Sequence, residues 1–329
     1  MKKYIILFII LIILLILALL FTVVIPMSHK KLAVNAAVLN GPTAIGATPL
    51  MQNNDNGTSA NNYNFTICST PDDVVGKITN GEVDIAAIPT NLAAALSNKT
   101  NGDIEVLGIN TLSVLYILDS TGTVNSMSDL SGKTIYVSGQ GAVPEYVIRF
   151  ILDTENIENV NIQYVTDHAA LASMAVSGKA PICMLPEPFV STVLSKDADF
   201  QLKINISDEW NKATQIKYGK AAELPMGVIV ARKEFLQNNA KAVDDFMTEY
   251  SNSVNYANNN IADTANLAVK YGIMTDASIA AKAIPNCAIT WITGSDVKNY
   301  LMSFFDVLYN LEPNSIGGTI PGDGFYYTK

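Results

Sequence analysis

Asn80–Asn91, NGEVDIAAIPTN, is the stretch that decides the fold, because the chain repeats its pattern as Ser177–Pro188, SGKAPICMLPEP. A glycine, an isoleucine and a proline recur at a constant offset of 97 residues, as Gly81 and Gly178, Ile85 and Ile182, and Pro89 and Pro186. We therefore interpret Asn64–Asn91 and Asn161–Pro188 as two copies of one structural unit. The alternative is that two separate units of the same type merely resemble each other.

Each copy has the pattern of a strand, a helix and a second strand. In the first copy Thr70 suits a helix N-cap and Pro71 the first helical position. The apolar run Ile85–Ile88 is short enough for a buried parallel strand. In the second copy Asp167 takes the place of the cap and Ile182–Leu185 that of the strand. Two such βαβ units predict two α/β lobes.

The composition excludes several classes of protein. The 329 residues suffice for two domains. The net charge is −9 and arginine occurs only at Arg149 and Arg232, so a basic face for nucleic acid is not expected. The three cysteines are far apart and in apolar surroundings, which predicts buried free thiols: Cys68, Cys183 and Cys287. We expect neither a metal nor a cofactor.

The N-terminal segment is strongly hydrophobic. Tyr4–Met27 contains 24 residues without a charge, longer than the roughly 7–15 apolar residues of a secretory signal. This length can span a bilayer. We predict an uncleaved membrane anchor with the rest of the chain on the extracytoplasmic face. The alternative is a cleaved signal that leaves a secreted or periplasmic protein.

The remaining strands divide the chain between the lobes. Leu32–Leu39 and Thr134–Val137 each begin one lobe. Gly227–Ala231 is a strand without a local partner in the second lobe, and the helical portion after it has too few strands for a domain of its own. We therefore predict two crossings between the lobes. The divisions are an N-terminal segment at 1–31, a first lobe at 32–117 plus 226–329, and a second lobe at 118–225.

This organisation resembles the solute-binding proteins of ABC importers, in the group linked with nitrate, sulfonate, taurine and thiamine-precursor uptake. The resemblance rests on NGEVDIAAIP, SDLSGKTIYVSGQG, LPEPF and the opening LNGPTAIG, and it extends from Leu32 to the end of the chain. It implies an α/β, two-lobed type II periplasmic-binding-protein fold (a clamshell), here with an N-terminal hydrophobic helix. It also implies capture of a small molecule between the lobes and delivery to an ABC permease in the membrane.

Two glycine-containing loops that follow strands should face the cleft between the lobes. In the first, the Thr43 hydroxyl and backbone N–H groups at a helix start could bind ligand. In the second, Gln140 adds an amide. Either loop could instead be only a structural turn, since glycine permits positive φ. The expected contact residues are Gly41, Pro42, Thr43, Ala44, Ser138, Gly139, Gln140 and Gly141.

Polar residues also follow the second strand of each repeated unit. Thr90 and Asn91 could bind ligand or only cap their helix. Glu187 stands at the equivalent strand end between two prolines, where a carboxylate facing the cleft would repel anions. This residue predicts a neutral or cationic ligand with hydrogen-bond donors, although the family resemblance favours oxyanions. A surface or inter-lobe ion pair is the alternative role of Glu187.

Candidate catalytic chemistry is sparse. HExxH, G-x-S-x-G and Walker motifs are absent, His29 lies beside the hydrophobic segment, and His168 is predicted to face solvent. Proteins of similar fold that make the thiamine pyrimidine use clustered Cys and His, and this sequence lacks that cluster. We therefore expect a monomeric binding protein and not an enzyme. The alternatives are a chorismate-dehydratase-like enzyme using Glu187 and a tethered sensory domain.

Overall fold

The computed structural model describes residues 31–328. The predicted anchor or signal segment, Tyr4–Met27, lies outside the described residues. Among the helices within residues 31–328, none is both long and apolar enough to cross a membrane.

The first lobe is built on a six-stranded sheet, to which we assign the helices packed on it. Its strands are β1 (Ala33–Leu39), β2 (Asn62–Cys68), β3 (Ile85–Pro89), β4 (Ile104–Thr111), β10 (Gly227–Arg232) and β11 (Ile289–Ile292). Their order across the sheet is β11-β4-β10-β3-β1-β2. The strand β1 pairs in parallel with β2 and β3, whereas β10 runs antiparallel to β3 and β4.

The second lobe is built on a five-stranded sheet. Its strands are β5 (Leu115–Asp119), β6 (Thr134–Ser138), β7 (Asn161–Val165), β8 (Ile182–Pro186) and β9 (Gln201–Asn205). Their order is β7-β6-β8-β5-β9. Here β6 pairs in parallel with β7 and β8, and β5 is antiparallel to β8 and β9. The five strands therefore repeat the arrangement β2-β1-β3-β10-β4 of the first sheet.

One antiparallel strand in each sheet interrupts the sequence order. In the first sheet this strand is β10, which comes later in the chain than all strands of the second sheet. In the second sheet it is β5, which is the next strand in the chain after β4. The chain thus crosses from one sheet to the other twice. The predicted division between residues 117 and 118 falls inside β5, because all of Leu115–Asp119 pairs with the second sheet.

Helices connect the strands and cover the sheets. In chain order they are α1 (Pro42–Asp55), α2 (Pro71–Thr79), α3 (Thr90–Lys99), α4 (Val143–Thr154), α5 (His168–Val176), α6 (Phe189–Lys196), α7 (Ile206–Tyr218), α8 (Lys233–Asn238), α9 (Ala240–Asn259), α10 (Ile261–Lys270), α11 (Ala277–Ala283) and α12 (Ser295–Leu311). Short 3₁₀ turns lie at Met127–Leu130, Ile284–Asn286, Pro313–Ile316 and Asp323–Phe325.

The predicted helix caps are present in both copies of the repeated unit. The Thr70 side chain accepts a hydrogen bond from the backbone N–H of Asp73 at the start of α2. The Asp167 carboxylate accepts one from the N–H of Ala170 at the start of α5, at 2.7 Å. Each cap satisfies a donor that the helix itself cannot pair. The equivalent strand–helix–strand units therefore begin their helices in the same way.

Buried aromatic side chains pack the second lobe against the C-terminal helix. The ring centroid of Trp210 in α7 lies 5.0 Å from that of Phe150 in α4 and 5.8 Å from that of Phe304 in α12. Trp210 and Phe304 have no exposed surface. The helix α12 also contacts α3 of the first lobe, so one apolar core continues between the lobes.

The three cysteines are free and buried, as predicted. Burial raises the pKa of the Cys68 and Cys183 thiols to about 12 in each case. Such thiols stay protonated at neutral pH and are poor nucleophiles. Within residues 31–328, no cluster of His, Cys, Asp and Glu could hold a metal ion.

Candidate ligand-binding cleft

A cavity of about 70 Å³ lies where the carboxyl ends of strands from both sheets meet. The first lobe contributes residues at or just after the carboxyl ends of β1, β2, β3 and β4. The second contributes residues at or just after the carboxyl ends of β6, β7 and β8. This is the place where open α/β sheets bind ligands.

The first-lobe wall is mainly aliphatic. Ile88 and Pro89 come from β3, while Met226 and Gly227 come from the start of β10. Its polar members are Asn40, Thr43, Ser69 and Thr111.

The second-lobe wall combines helix starts with strand ends. Ala142, Val143 and Pro144 lie at the start of α4, and Pro186 ends β8. The polar members of this wall are Thr166, Asp167 and His168. Among the described residues, the lining of the cavity contains no lysine and no arginine.

The predicted first-lobe loop lies at the cavity, although only part of it lines the space. Pro42 and Thr43 line the cavity, and the Thr43 hydroxyl donates to the carbonyl oxygen of Leu39 at 2.5 Å. Gly41 caps α1 with φ 132°, and its carbonyl accepts from the N–H of Ala44. Ala44 is fully buried in the core behind the cavity. Gly41 and Ala44 therefore shape the turn.

The predicted second-lobe loop divides in the same way. Gly139, with φ 88°, lines the cavity, whereas the Gln140 side chain is exposed and does not. The backbone N–H of Gly141 donates to the Glu145 carboxylate at 2.7 Å. Ser138 is buried and contacts His168. Glycine is needed at 139 and 141 because both have positive φ.

Thr90 and Asn91 are fully buried beside the cavity and do not line it. The Asn91 amide donates to the carbonyl oxygen of Gly141 at 2.9 Å and to that of Ser315 at 3.2 Å. Gly141 belongs to the second lobe, so Asn91 joins the two lobes. The backbone N–H of Thr90 donates to the carbonyl oxygen of Met226.

Glu187 differs from the expectation that its carboxylate faces the ligand. It does not line the cavity, and only 3% of its surface is exposed. Its two oxygens accept from the backbone N–H and the hydroxyl of Ser191, at 3.0 and 2.9 Å. It forms no ion pair with any described residue. Burial raises its pKa, and the bonds from Ser191 oppose that rise. The carboxylate therefore stabilises the first turn of α6 by accepting hydrogen bonds there.

His168 was expected to face solvent and instead lines the cavity, half-buried. Its Nδ1 lies 2.5 Å from the Ser138 hydroxyl, and its ring packs against that of Phe189. Burial lowers the pKa of His168 to about 4, against a small opposing effect of Asp167. The imidazole is therefore neutral at physiological pH. The position of His168 could have been inferred from the pairing of β6 with β7. Ser138 pairs with Val165 at the ends of these strands, and His168 follows Val165 by three residues.

Asn40 also lines the cavity and is not among the contact residues expected from sequence. It directly follows β1, and its backbone N–H donates to the carbonyl oxygen of Cys68 at 2.8 Å. Its side-chain oxygen is buried, with less than 1 Å² accessible, and has no hydrogen-bond partner among the described residues. A buried acceptor without a partner is costly, and a ligand can satisfy it once the Asn40 side chain turns towards the cavity.

Comparison with known proteins identifies the family. The family model described as NMT1/THI5 like matches residues 64–262, more than half of the chain. Among curated proteins, none matches the sequence significantly.

Solved structures share the fold at low sequence identity. An ABC transporter structure from Parabacteroides distasonis superposes with a TM-score of 0.74 at 21% identity, covering 92% of this chain and 100% of that one. The alkanesulfonate-binding protein SsuA from Xanthomonas axonopodis pv. citri, bound to MOPS, gives 0.67 at 10% identity, covering 86% and 94%. The periplasmic nitrate-binding protein NrtA from Synechocystis PCC 6803 gives 0.58 at 11%, covering 82% and 75%. The predicted two-lobed periplasmic-binding fold is confirmed for the described residues.

Proposed function

The chain belongs to the NMT1/THI5-like family, and we propose that it is an extracytoplasmic solute-binding protein that delivers a small molecule to an ABC permease. The observation that carries the proposal is the position of the cavity. Both lobes line it with residues at the carboxyl ends of their strands. A ligand held there contacts both lobes at once, so its binding energy favours the closed arrangement over an open one.

The ligand contacts that we propose are the predicted loop residues that reach the cavity. These are Pro42 and Thr43 from the first lobe and Gly139 from the second. Gly41, Ala44, Thr90, Ser138 and Gly141 support those loops from behind. Asn91 holds the lobes together through Gly141.

The proposal also includes the oligomeric state, the attachment to the membrane and the recognition by the permease. The protein acts as a monomer tethered through its N-terminal hydrophobic segment, and the permease recognises the closed form. For the lobes we propose the division expected from sequence, with the first crossing moved ahead of β5, which pairs with the second sheet. Proteins with this fold include the alkanesulfonate-binding protein SsuA and the periplasmic nitrate-binding protein NrtA.

The test is to block the cavity and compare solute binding. Thr166 is exposed at the cavity wall, where the large side chain of Thr166→Trp would fill the space. Thr248→Trp, on the exposed face of α9, is the matched control. A thermal-shift screen with sulfonates, nitrate, aminopyrimidines, carboxamides and amines should identify a solute that stabilises the wild type and the control.

The blocked variant should lose this stabilisation and keep its unliganded melting temperature. Mass spectrometry should recover the solute chemically unchanged. Turnover of the solute would favour an enzyme over a carrier.

A further inference from the structure

The helices that begin at the cavity have lost part of the N–H groups that could bind an anion. A helix start binds anions through unpaired backbone N–H groups. Pro42 and Pro71 occupy the first turns of α1 and α2, and Pro144 that of α4, and proline has no N–H. The Thr70 hydroxyl and the Asp167 carboxylate already accept from the first turns of α2 and α5.

The charged groups around the cavity also disfavour an anion. Within residues 31–328, Asp167 is the one carboxylate in the lining, and no lysine or arginine of that range lines the cavity to balance it. The nearby Glu145 carboxylate accepts the N–H of Gly141, removing a further donor. His168 is neutral, because burial lowers its pKa to about 4. An anion would therefore lose its hydration without gaining a cationic partner.

Neutral polar side chains line the cavity on both lobes, and Asn40 and His168 are the two that can accept or donate through an amide or a ring nitrogen. The Asn40 side-chain oxygen of the first lobe is buried without a partner. On the second lobe, Ser138 occupies Nδ1 of His168, which leaves Nε2 as the remaining polar atom of that ring. Both residues line the cavity, and the rest of the lining is mainly aliphatic or proline.

On the basis of the proposed function, we infer that the ligand is a small uncharged molecule that hydrogen-bonds to Asn40 on one lobe and to His168 on the other. A carboxamide or an uncharged nitrogen heterocycle has this chemistry, since each carries hydrogen-bonding groups on a mainly apolar frame.

The experiment compares ligands of matched shape and different charge. Calorimetric titration of the full chain at pH 7.5 uses three pairs: butyramide and butyrate, nicotinamide and nicotinate, and methanesulfonamide and methanesulfonate. Butylamine serves as a cationic probe. The uncharged member of at least one pair should bind about tenfold or more tightly than its anionic counterpart, because the anion meets Asp167 without a counter-charge.

The variant Asn40→Leu tests the contact on the first lobe. It should weaken the best uncharged probe by about tenfold, the loss expected for one buried hydrogen bond. Asn53→Leu is the matched control, since Asn53 is exposed at the far end of α1. It should leave the affinity unchanged. If Asn40→Leu does not fold, the charge comparison in the wild type decides alone.

Three results would overturn the inference. Tighter binding of an anionic member or of butylamine would overturn the ligand class and leave the solute-binding function standing. Unchanged affinity in a folded Asn40→Leu would overturn the contact. Failure of every probe, together with a Thr166→Trp variant indistinguishable from wild type in the wider screen, would count against the proposed function as well.

Discussion

The two copies of the repeated unit have the same strands and caps, and they differ at the end of their second strands. In the first lobe the Asn91 amide donates to carbonyl oxygens of Gly141 and Ser315, far along the chain. In the second lobe the Glu187 carboxylate accepts from Ser191, one helical turn away. At the offset of 97, Glu187 corresponds to Thr90 and Asn91 to Pro188. The residues that follow equivalent strands thus have different roles: Asn91 joins the lobes, and Glu187 stabilises the start of its own helix.

The largest effect on stability should come from Asn91, when its hydrogen-bond donor is replaced by an acceptor. Asn91→Asp removes the donor and sets a buried carboxylate against two carbonyl oxygens. We expect a loss of about 4 kcal/mol in the free energy of unfolding, as for an uncompensated buried charge. Urea denaturation followed by circular dichroism measures it.

Asn98→Asp is the matched control for that variant. Asn98 lies in the same helix and also donates to two carbonyl oxygens, those of Ile316 and Thr319, but it is only half-buried. The free energy of unfolding should fall less in Asn98→Asp than in Asn91→Asp. Equal losses would show that burial between the lobes does not set the cost.

The second largest effect on stability concerns β3 and β8, the equivalent second strands of the two units. Ile88 of β3 and Leu185 of β8 are both fully buried. Truncation to alanine in either should cost about 3 kcal/mol, through lost apolar contact and the remaining space. Denaturation midpoints of Ile88→Ala and Leu185→Ala should fall by similar amounts. A difference of more than about 2 kcal/mol would contradict the structural equivalence of the two strands.

A pH-dependent effect should arise in the second lobe and not in the first. The position equivalent to His168 in the first unit is Pro71, which does not titrate. The folded pKa of His168 is about 4, below the value of 6.5 for the free side chain, so the unfolded state takes up the proton more readily. Its contribution is constant above pH 6.5 and lowers stability as the pH falls from 6.5 towards 4, by up to about 3 kcal/mol.

Denaturation at several pH values measures this contribution. His168→Gln should lack the decrease, and the difference between the two pH profiles isolates the histidine. Identical profiles would contradict a buried neutral imidazole.

The smallest effect should come from Glu187→Gln. Burial raises the pKa of this carboxyl, so its ionised form is held less favourably in the fold than in water. The amide keeps groups that can bond to Ser191. We expect a change of less than about 1 kcal/mol in the free energy of unfolding at pH 7. A loss of several kcal/mol would show that the ionised carboxylate has a partner beyond Ser191.

The sequence predicted the framework because it depends on local chemistry. The caps Thr70 and Asp167 and the buried runs at Ile85–Ile88 and Ile182–Leu185 follow from capping and hydrophobic pattern. The pairing of Gly227–Ala231 with the first sheet followed from its lack of a neighbour in the second.

The cavity was less predictable, because side-chain direction depends on contacts far apart in sequence. Gln140 was expected to reach the ligand, but the tight turn between two positive-φ glycines leaves it exposed. His168 was expected in solvent, and the neighbouring strand end places Ser138 against it. For Glu187 a local signal was available, since Ser191 is one helical turn further along.

The interrupted strand order also affects how the chain folds. All five strands of the second sheet lie within residues 115–205, so that sheet can be completed from one continuous stretch. The first sheet must keep β3 and β4 apart until Gly227–Arg232 inserts between them. Contacts between residues distant in sequence form slowly. During synthesis from the N-terminus, the second lobe can therefore complete its sheet before the first lobe does. The facing edges of β3 and β4 in the first lobe stay unpaired until β10 has been made.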